Sequence, residues 1–494
     1  MNKLLNHLRI RSERLYITLK TFFKWLLLSG ITGICCGVIG SLFHLCMEFA
    51  TEFRTGHSFM VYFLPVAGLV IVFLYSICGL KNDPGTNIII TSIRTEGKIP
   101  VRMAPLIFIS AFITHLFGGS AGREGAALQI GGGLSAEIAR ILKMDERNGN
   151  LLVMCGMSGL FSALFGTPVT ATFFAMEVIS VGVFYYSAIV PCFFSAAVAL
   201  GISHLFGIVP VTYKVAIPDI SVINIAFAMI LGVGTALLSI VFCYSLHKLS
   251  KLLSAKIKNN YIRIFVCGCA IVILTAVFGT DYNGAGMNII ADAMSGTTRP
   301  EAFALKLLFT VITIAGGYKG GEIVPSFFIG ATFGNLFGTL VGLPPQFTAA
   351  LGLVSLFCGV VNCPVTSLLL SIELFGGEGI IFFAAACSVS YILSGYYGLY
   401  TGQKIMYSKL HSTGDHLAQQ GDHDIGAHQH EGEGGTHAQS AGNCSGNCQN
   451  GAGTQNQTQN GVFFDNAVGK DAYLGLIFLC HFLPTSFTPA RCSS

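Results

Sequence analysis

The residues most capable of chemistry in this chain are a glutamate and the glycines around it. Glu124 stands in the run Gly122-Arg123-Glu124-Gly125, directly before an apolar segment. Glycines let a turn expose its backbone N–H groups, and the helix that follows presents the positive end of its dipole, so an anion is favoured there. A carboxylate at the same place competes with that anion when ionised and withdraws when protonated. We therefore predict that Glu124 couples the movement of an anion to that of protons.

A second acidic residue lies beside a similar glycine-rich turn in the second half of the chain. Glu322 follows Gly321 and has no acidic counterpart in the first half. An ionisable residue inside an apolar segment is costly and marks an ion or proton path by default. We predict that Glu322 is the second proton carrier. The anion is predicted to bind at the backbone of both turns, with contributions from Gly122, Arg123, Gly125, Gly321, Ile323 and Val324.

Structural roles are the alternative for several of these residues. Glu124 would then only cap a helix that begins near Ala126, and Arg123 would form a structural ion pair. A third polar turn, Asp83-Pro84-Gly85-Thr86-Asn87, precedes an apolar run and has the composition of a helix start. Gly85, Thr86 and Asn87 are candidate anion ligands, and a plain helix cap is the alternative there too.

An internal duplication organises the membrane part. Gly156, Phe161, the Pro-Val-Thr run from Pro168 and Glu177 recur at one offset of 196 (352 − 156 = 196), as Gly352, Phe357, Pro364 and Glu373. Two membrane halves that each present a glycine-rich helix start point to an ion site at their interface. The sequence leaves open whether the repeats run parallel or inverted. Because Glu177 and Glu373 are both duplicated, we expect them to satisfy helix ends rather than carry protons.

An intramembrane serine protease is a competing hypothesis. Gly156-Met157-Ser158-Gly159 has the form of a nucleophile turn, and His204 follows on a later segment as a conceivable base. The second copy of the repeat has Val354 in place of Ser158. The shared small residues therefore favour helix packing, and we predict that the protein is not an enzyme.

The composition places the chain in a membrane. Of its 494 residues, 52% are hydrophobic and 11% charged, against about 25% charged in soluble domains. Apolar stretches of spanning length recur, some too short, too long or too interrupted for simple spans, which predicts an all-α polytopic fold with tilted and re-entrant helices. Most of the 16 cysteines lie inside these stretches and are expected to be small hydrophobes. The net charge of +4 is too modest to suggest nucleic-acid binding.

Four segments are predicted along the chain. The basic segment 1–20 precedes the first span and is expected to be cytoplasmic by the positive-inside rule. It is followed by a first membrane repeat at 21–210 and a second at 215–410. The tail at 411–494 is rich in His, Gly, Gln and Asn and is predicted to be disordered. Metal binding by its His and Cys residues is left open, since their spacing is irregular.

Together these motifs resemble the CLC family of chloride channels and anion/proton antiporters. The resemblance covers about residues 15–410 and rests on Gly-Arg-Glu-Gly at 122–125, the turn at 320–325, both Pro-Val-Thr runs and Lys404-Ile-Met-Tyr407-Ser408. It implies an inverted-repeat fold, a homodimer with one pore per subunit and an anion site formed by helix starts. It also implies that Glu124 is the gate and that Tyr407 is the pore tyrosine.

The departures from the chloride-selective pattern resemble the fluoride-exporting CLC-F branch. Thr86 and Asn87 follow Gly85 where chloride-selective members have Gly-Ser-Gly-Ile-Pro, and Val178 stands where the chloride antiporters carry a proton-handling glutamate. The CLC-F branch has a glutamate at the position of Glu322, although it commonly has Thr where this chain has Val324. Compact hydrogen-bond donors suit fluoride, which is small and strongly hydrated.

The predicted function is therefore proton-coupled fluoride export, and the alternative is a chloride channel or chloride/proton exchanger of the same fold. The predicted partners are fluoride or chloride, protons, the lipid bilayer and a second copy of the chain, without nucleic acid. No cofactor and no resident metal are predicted for the transport site. The predicted location is the plasma membrane, crossed several times, with a cytoplasmic N-terminus.

Overall fold

Helices make up most of the chain that the structure describes. The structure is a computed structural model, and it describes residues 2–80, 83–95, 97–407 and 409. The predicted tail at 411–494 and Ser408 lie outside the described residues. The cysteines of the apolar segments are free thiols, as the sequence indicated.

The first repeat contains eight α-helices. The basic N-terminal segment and the first span form one continuous helix, so residue 20 marks a change of charge and not a break in structure. A short 3-10 helix, Ser58–Phe63, precedes α2, and another, Tyr186–Ala188, precedes α8. The helices are α1 Asn2–Gly56, α2 Leu64–Ile77, α3 Asn87–Thr95, α4 Met103–Leu116, α5 Glu124–Ile141, α6 Glu146–Phe165, α7 Pro168–Glu177 and α8 Ile189–Leu205.

The second repeat repeats this order with eight more. Two short strands, β1 Ser180–Val181 and β2 Lys404–Ile405, pair in parallel and tie its end to the first repeat. The helices are α9 Val222–Lys256, α10 Asn260–Phe278, α11 Met287–Ser295, α12 Ala302–Gly316, α13 Ile323–Val341, α14 Pro345–Val361, α15 Pro364–Phe375 and α16 Ile380–Leu393.

The fold contains both long and short apolar helices, as predicted for a polytopic fold with partial spans. Within the described ranges, seven helical segments are long and apolar enough to cross a bilayer. Five further apolar helices have 10–17 residues, which is less than the about 20 residues that a full span needs. The all-α membrane fold is therefore confirmed.

Glycines let equivalent helices pack closely in both repeats. A side chain at Gly131 of α5 would run into the carbonyl of Gly156 on α6, and one at Gly330 of α13 would run into the carbonyl of Gly352 on α14. The glycines that the duplication brought out are thus the contact points of two equivalent helix pairs. Small residues allow such close approach between membrane helices.

Two carboxylates show that the repeats are inverted. Glu177, the last residue of α7, accepts hydrogen bonds from the N–H groups of Val365 (3.2 Å) and Thr366 (2.8 Å) at the start of α15. Glu373, near the end of α15, accepts from Val169 (2.9 Å) and Thr170 (2.8 Å) at the start of α7. Each helix end therefore lies beside the start of the other, which requires α7 and α15 to be antiparallel. The expectation that these glutamates satisfy helix ends is met by this geometry.

Candidate functional site

The starts of α5 and α13 meet at a pair of glycines. The N–H of Gly122 donates to the carbonyl of Gly321 at 2.7 Å, and the N–H of Gly321 donates back to Gly122 at 2.7 Å. A side chain at Gly321 would come within 2.6 Å of the backbone nitrogen of Gly125. Both turns therefore need glycine at this point, and the positive ends of two helix dipoles converge on one place.

The Glu124 carboxylate lies between these two helix starts. Its Oε1 accepts a hydrogen bond from the N–H of Arg123 at 3.0 Å, and its Oε2 accepts one from the N–H of Val324 at 3.1 Å. Glu124 is fully buried, with 0% of its surface exposed. The helix α5 begins at Glu124 itself rather than near Ala126. The carboxylate thus bonds across to α13 and occupies the place where the backbone favours an anion.

The side chain of Arg123 turns away from that carboxylate. Its Nη1 lies 3.1 Å from Nδ1 of His44 on α1, and its guanidinium lies 5.7 Å from the centre of the Phe165 ring. Only its backbone N–H reaches the site. His44 was not indicated by the sequence, since a single histidine in a long apolar helix has no distinguishing pattern.

A cavity of about 830 Å³ borders the site on one side. Glu322, the residue directly before α13, lines it, as do Gly85, Thr86 and Asn87 from the turn before α3. Lys319 forms an ion pair with Asp83 at 2.9 Å in the wall of the same cavity. The structure therefore places the second acidic residue and the third polar turn around one cavity.

Thr86 links that turn to Glu124. Its hydroxyl donates to the carbonyl of Gly125 at 3.3 Å and accepts from the amide of Gln129 at 3.3 Å. The amide oxygen of Asn87 accepts the N–H of Gly402 at 2.8 Å, which fixes the start of α3 to the segment before β2. Sequence reasoning missed Gln129, although a polar residue one helical turn after Gly125 in an apolar run was an available signal.

The structure does not bring Tyr407 to this cavity. Its side chain is 69% exposed and its ring lies beside Gly182. The reason is the pairing of β1 with β2, which continues as a hydrogen bond from the N–H of Met406 to the carbonyl of Val181 and directs Tyr407 to the surface. Tyr400, which is 5% exposed, lines the cavity, together with Tyr75, Tyr261 and Tyr318.

The hydroxyl of Tyr400 has no hydrogen-bond partner within the described ranges. Tyr400 also lies within electrostatic reach of both Glu124 and Glu322. A buried hydroxyl without a partner is costly, so this group is suited to donate to an anion in the cavity. Tyr400 could not be singled out from the sequence, because it lies outside the motif that contains Tyr407.

Ser158 has the surroundings of a packing residue. It lies in the interior of α6, has 0% of its surface exposed, and donates its hydroxyl to the carbonyl of Cys192 at 3.1 Å. Of the described residues, Thr172 is its other hydrogen-bond partner, at 3.5 Å, and no histidine bonds to it. This geometry does not support the arrangement of nucleophile and base that a serine protease needs.

The chain is similar in sequence to anion channels and transporters of one family. The sequence pattern of the voltage gated chloride channel family matches residues 68–395. A chloride/fluoride channel protein of Pseudomonas syringae pv. tomato is 33% identical over 397 residues, which cover 78% of this chain and 88% of that protein. An H(+)/Cl(-) exchange transporter of Vibrio cholerae is 26% identical over 431 residues, covering 80% of this chain and 90% of that protein.

Solved structures agree with these relatives. A CLC-type fluoride/proton antiporter superposes with a TM-score of 0.75 at 31% identity, covering 78% of this chain and 98% of that one. A slow cyanobacterial Cl-/H+ antiporter has a TM-score of 0.67 at 19% identity, covering 75% of this chain and 94% of that one, and shares the fold.

Proposed function

Because the chain belongs to the voltage-gated chloride channel (CLC) family, we propose that it exports fluoride across a membrane in exchange for protons. The observation that carries this proposal is the Glu124 carboxylate, which accepts N–H hydrogen bonds at the starts of both α5 and α13. A fluoride/proton antiporter that is 31% identical and has the same fold supports fluoride as the anion.

Glu124 is the gate in this proposal. When ionised, its carboxylate occupies the N–H groups of Arg123 and Val324, which an anion would use. Protonation removes the charge and turns one carboxylate oxygen into a donor, so the group can no longer accept well from both the Arg123 and the Val324 N–H. The side chain then leaves, and fluoride accepts these hydrogen bonds instead. Each exchange of carboxylate for anion is thus tied to the gain or loss of a proton.

Glu322 carries the proton between Glu124 and one face of the membrane. It lines the cavity and lies within electrostatic reach of Glu124. An ionised Glu124 and an ionised Glu322 repel each other in a medium of low dielectric constant. A proton that leaves Glu124 is therefore held favourably by Glu322 before it passes into the cavity.

Fluoride is selected by compact donors along the same path. The amide of Asn87 and the backbone N–H groups at the two helix starts replace the ion's hydration shell, and the hydroxyl of Thr86 joins them when it turns away from the carbonyl of Gly125. Tyr400 adds a further hydroxyl, in the role that the resemblance assigned to Tyr407. Chloride is larger and less strongly hydrated, so it forms weaker hydrogen bonds with these compact donors than fluoride does.

The remaining features of the proposal concern the whole protein. The N-terminus is cytoplasmic because its basic residues precede the first span, and the protein lies in the plasma membrane. Two copies form a homodimer, as the family resemblance implies. The membrane repeats extend over 21–210 and 215–410.

Flux measurements on reconstituted liposomes test this function. Liposomes loaded with fluoride are expected to release it with simultaneous proton uptake, measured with a fluoride electrode and a pH electrode. Protein-free liposomes give the leak rate. Equal release rates for chloride and fluoride would favour the chloride/proton exchanger. Fluoride release without proton uptake would show that the protein is a channel.

A further inference from the structure

Three buried donor side chains converge beyond Glu124, on the side away from the cavity. They are Arg54 near the end of α1, Asn283 in the loop before α11, and Lys306 on α12, and their exposed fractions are 6%, 2% and 0%. His115, at the end of α4, lies within electrostatic reach of Arg54 and Lys306 and is equally buried. The function proposed above uses none of these residues.

The loop from Tyr282 to Gly284 holds this group together. The ammonium of Lys306 donates to the carbonyls of Tyr282 (3.1 Å) and Gly284 (2.6 Å), which leaves its third N–H available. A side chain at Gly284 would lie 3.0 Å from Nη2 of Arg54, so the guanidinium is beside the same loop. A side chain at Gly118 would contact both Arg54 and Asn283.

Two of these side chains have a donor atom without an acceptor. Within the described part of the chain, Nε of Arg54 and Nδ2 of Asn283 are buried without a hydrogen-bond partner. Neither Arg54 nor Lys306 forms an ion pair with any described carboxylate. Buried cations without a counter-charge are costly. A negatively charged ligand would satisfy the free N–H groups and offset the two positive charges.

The cluster and the cavity lie at opposite ends of the same path. Arg54 comes directly before the spanning segment Ser58–Ile77, and Asp83 of the cavity wall comes directly after it. Glu124 lies within electrostatic reach of Lys306 and, separately, of Glu322. The order along the path is therefore cavity, Glu124, cluster.

We propose that Arg54, Asn283 and Lys306 form a second binding site for a small halide anion, reached after the anion has passed Glu124. This inference rests on the proposed function. Fluoride that has displaced the protonated Glu124 moves from backbone donors to the buried side-chain donors of Arg54, Asn283 and Lys306. Its return is then opposed when Glu124 ionises and closes behind it. With the N-terminus in the cytoplasm, α1 carries Arg54 to the outer face, so this is the exit site.

Isothermal titration of detergent-purified protein with sodium fluoride tests the site. All titrations use full-length Glu124→Gln protein, in which no carboxylate competes at the helix starts. We expect two fluoride ions per chain in this background and one after the additional change Arg54→Gln. Arg54→Lys keeps the charge and is expected to retain both ions, with affinity at the second site weakened by about tenfold. Arg140→Gln, which removes an exposed cation, is the matched control and is expected to leave two.

A second variant distinguishes loss of the site from misfolding. Asn283→Asp has nearly the same shape and supplies the missing counter-charge, so it is expected to raise the melting temperature while reducing bound fluoride to one ion. A lower melting temperature, or two ions still bound, would overturn the proposed site. So would equal fluoride counts with and without Arg54→Gln. Two bound chloride ions and no bound fluoride in the Glu124→Gln protein would instead retain the site and refute fluoride export.

Discussion

Replacing Glu124 by Gln is the most direct test of the gate. The carboxylate accepts two N–H hydrogen bonds at 3.0 and 3.1 Å. A glutamine has nearly the same shape but no charge, and its NH₂ group faces one of the two donors instead of accepting from it. A hydrogen bond to a charged group contributes about 1 kcal/mol more than a neutral one. The amide therefore competes with an anion about 2 kcal/mol less well, which corresponds to about 30-fold tighter fluoride binding.

The same change should abolish proton coupling, because an amide does not titrate at physiological pH. Fluoride release and proton uptake are measured on the same liposomes, and fluoride affinity is measured by titration calorimetry. Glu378→Gln, which neutralises an exposed carboxylate, is the matched control and should keep normal coupling. Proton uptake at the wild-type ratio in Glu124→Gln, or unchanged fluoride affinity, would refute the assignment of Glu124 as the gate.

Three further changes probe the surroundings of the gate. Glu322→Gln should slow coupled transport by about 100-fold or more, since proton transfer by a positioned group contributes about 10²–10⁴-fold. An unchanged flux in liposomes would exclude Glu322 as a proton carrier. Tyr400→Phe should weaken fluoride binding by about 1 kcal/mol, or about fivefold, whereas Tyr407→Phe should leave it unchanged. If calorimetry shows weaker binding only in Tyr407→Phe, Tyr407 and not Tyr400 belongs to the site. Gly321→Ala places a methyl group 2.6 Å from the backbone nitrogen of Gly125. We therefore expect it to separate the helix starts and abolish fluoride flux, while the protein still inserts into the membrane. Fluoride flux at the wild-type rate would contradict the close contact.

The sequence predicted the elements of the site that depend on local chain geometry. The glycines around Glu124 and Glu322 lack a Cβ, so their backbone can adopt the tight turns that expose N–H groups, and this capacity is visible in the motif. The duplication likewise located Glu177 and Glu373 as equivalent residues. Their partners followed from helix-capping chemistry, since a carboxylate at a helix end is stabilised by the N–H groups of a neighbouring helix start.

Features that depend on long-range packing were not predictable in this way. The antiparallel course of α7 and α15 became evident only from the crossed hydrogen bonds of Glu177 and Glu373. The cavity side chain of Tyr400 depends on where the segment before β2 lies. The cluster around Lys306 draws single residues from distant helices, and one cation in an apolar helix has no periodic signal.

The crossed carboxylates of Glu177 and Glu373 also restrict how transport can proceed. Any rocking of one repeat against the other would pull α7 away from α15 and break five hydrogen bonds to charged acceptors. At about 1.5–3 kcal/mol each, that loss is of the same order as the about 5–15 kcal/mol that holds a whole domain folded. We therefore expect α7 and α15 to stay in contact during transport, so that the exchange of Glu124 for the anion requires no separation of these two helices.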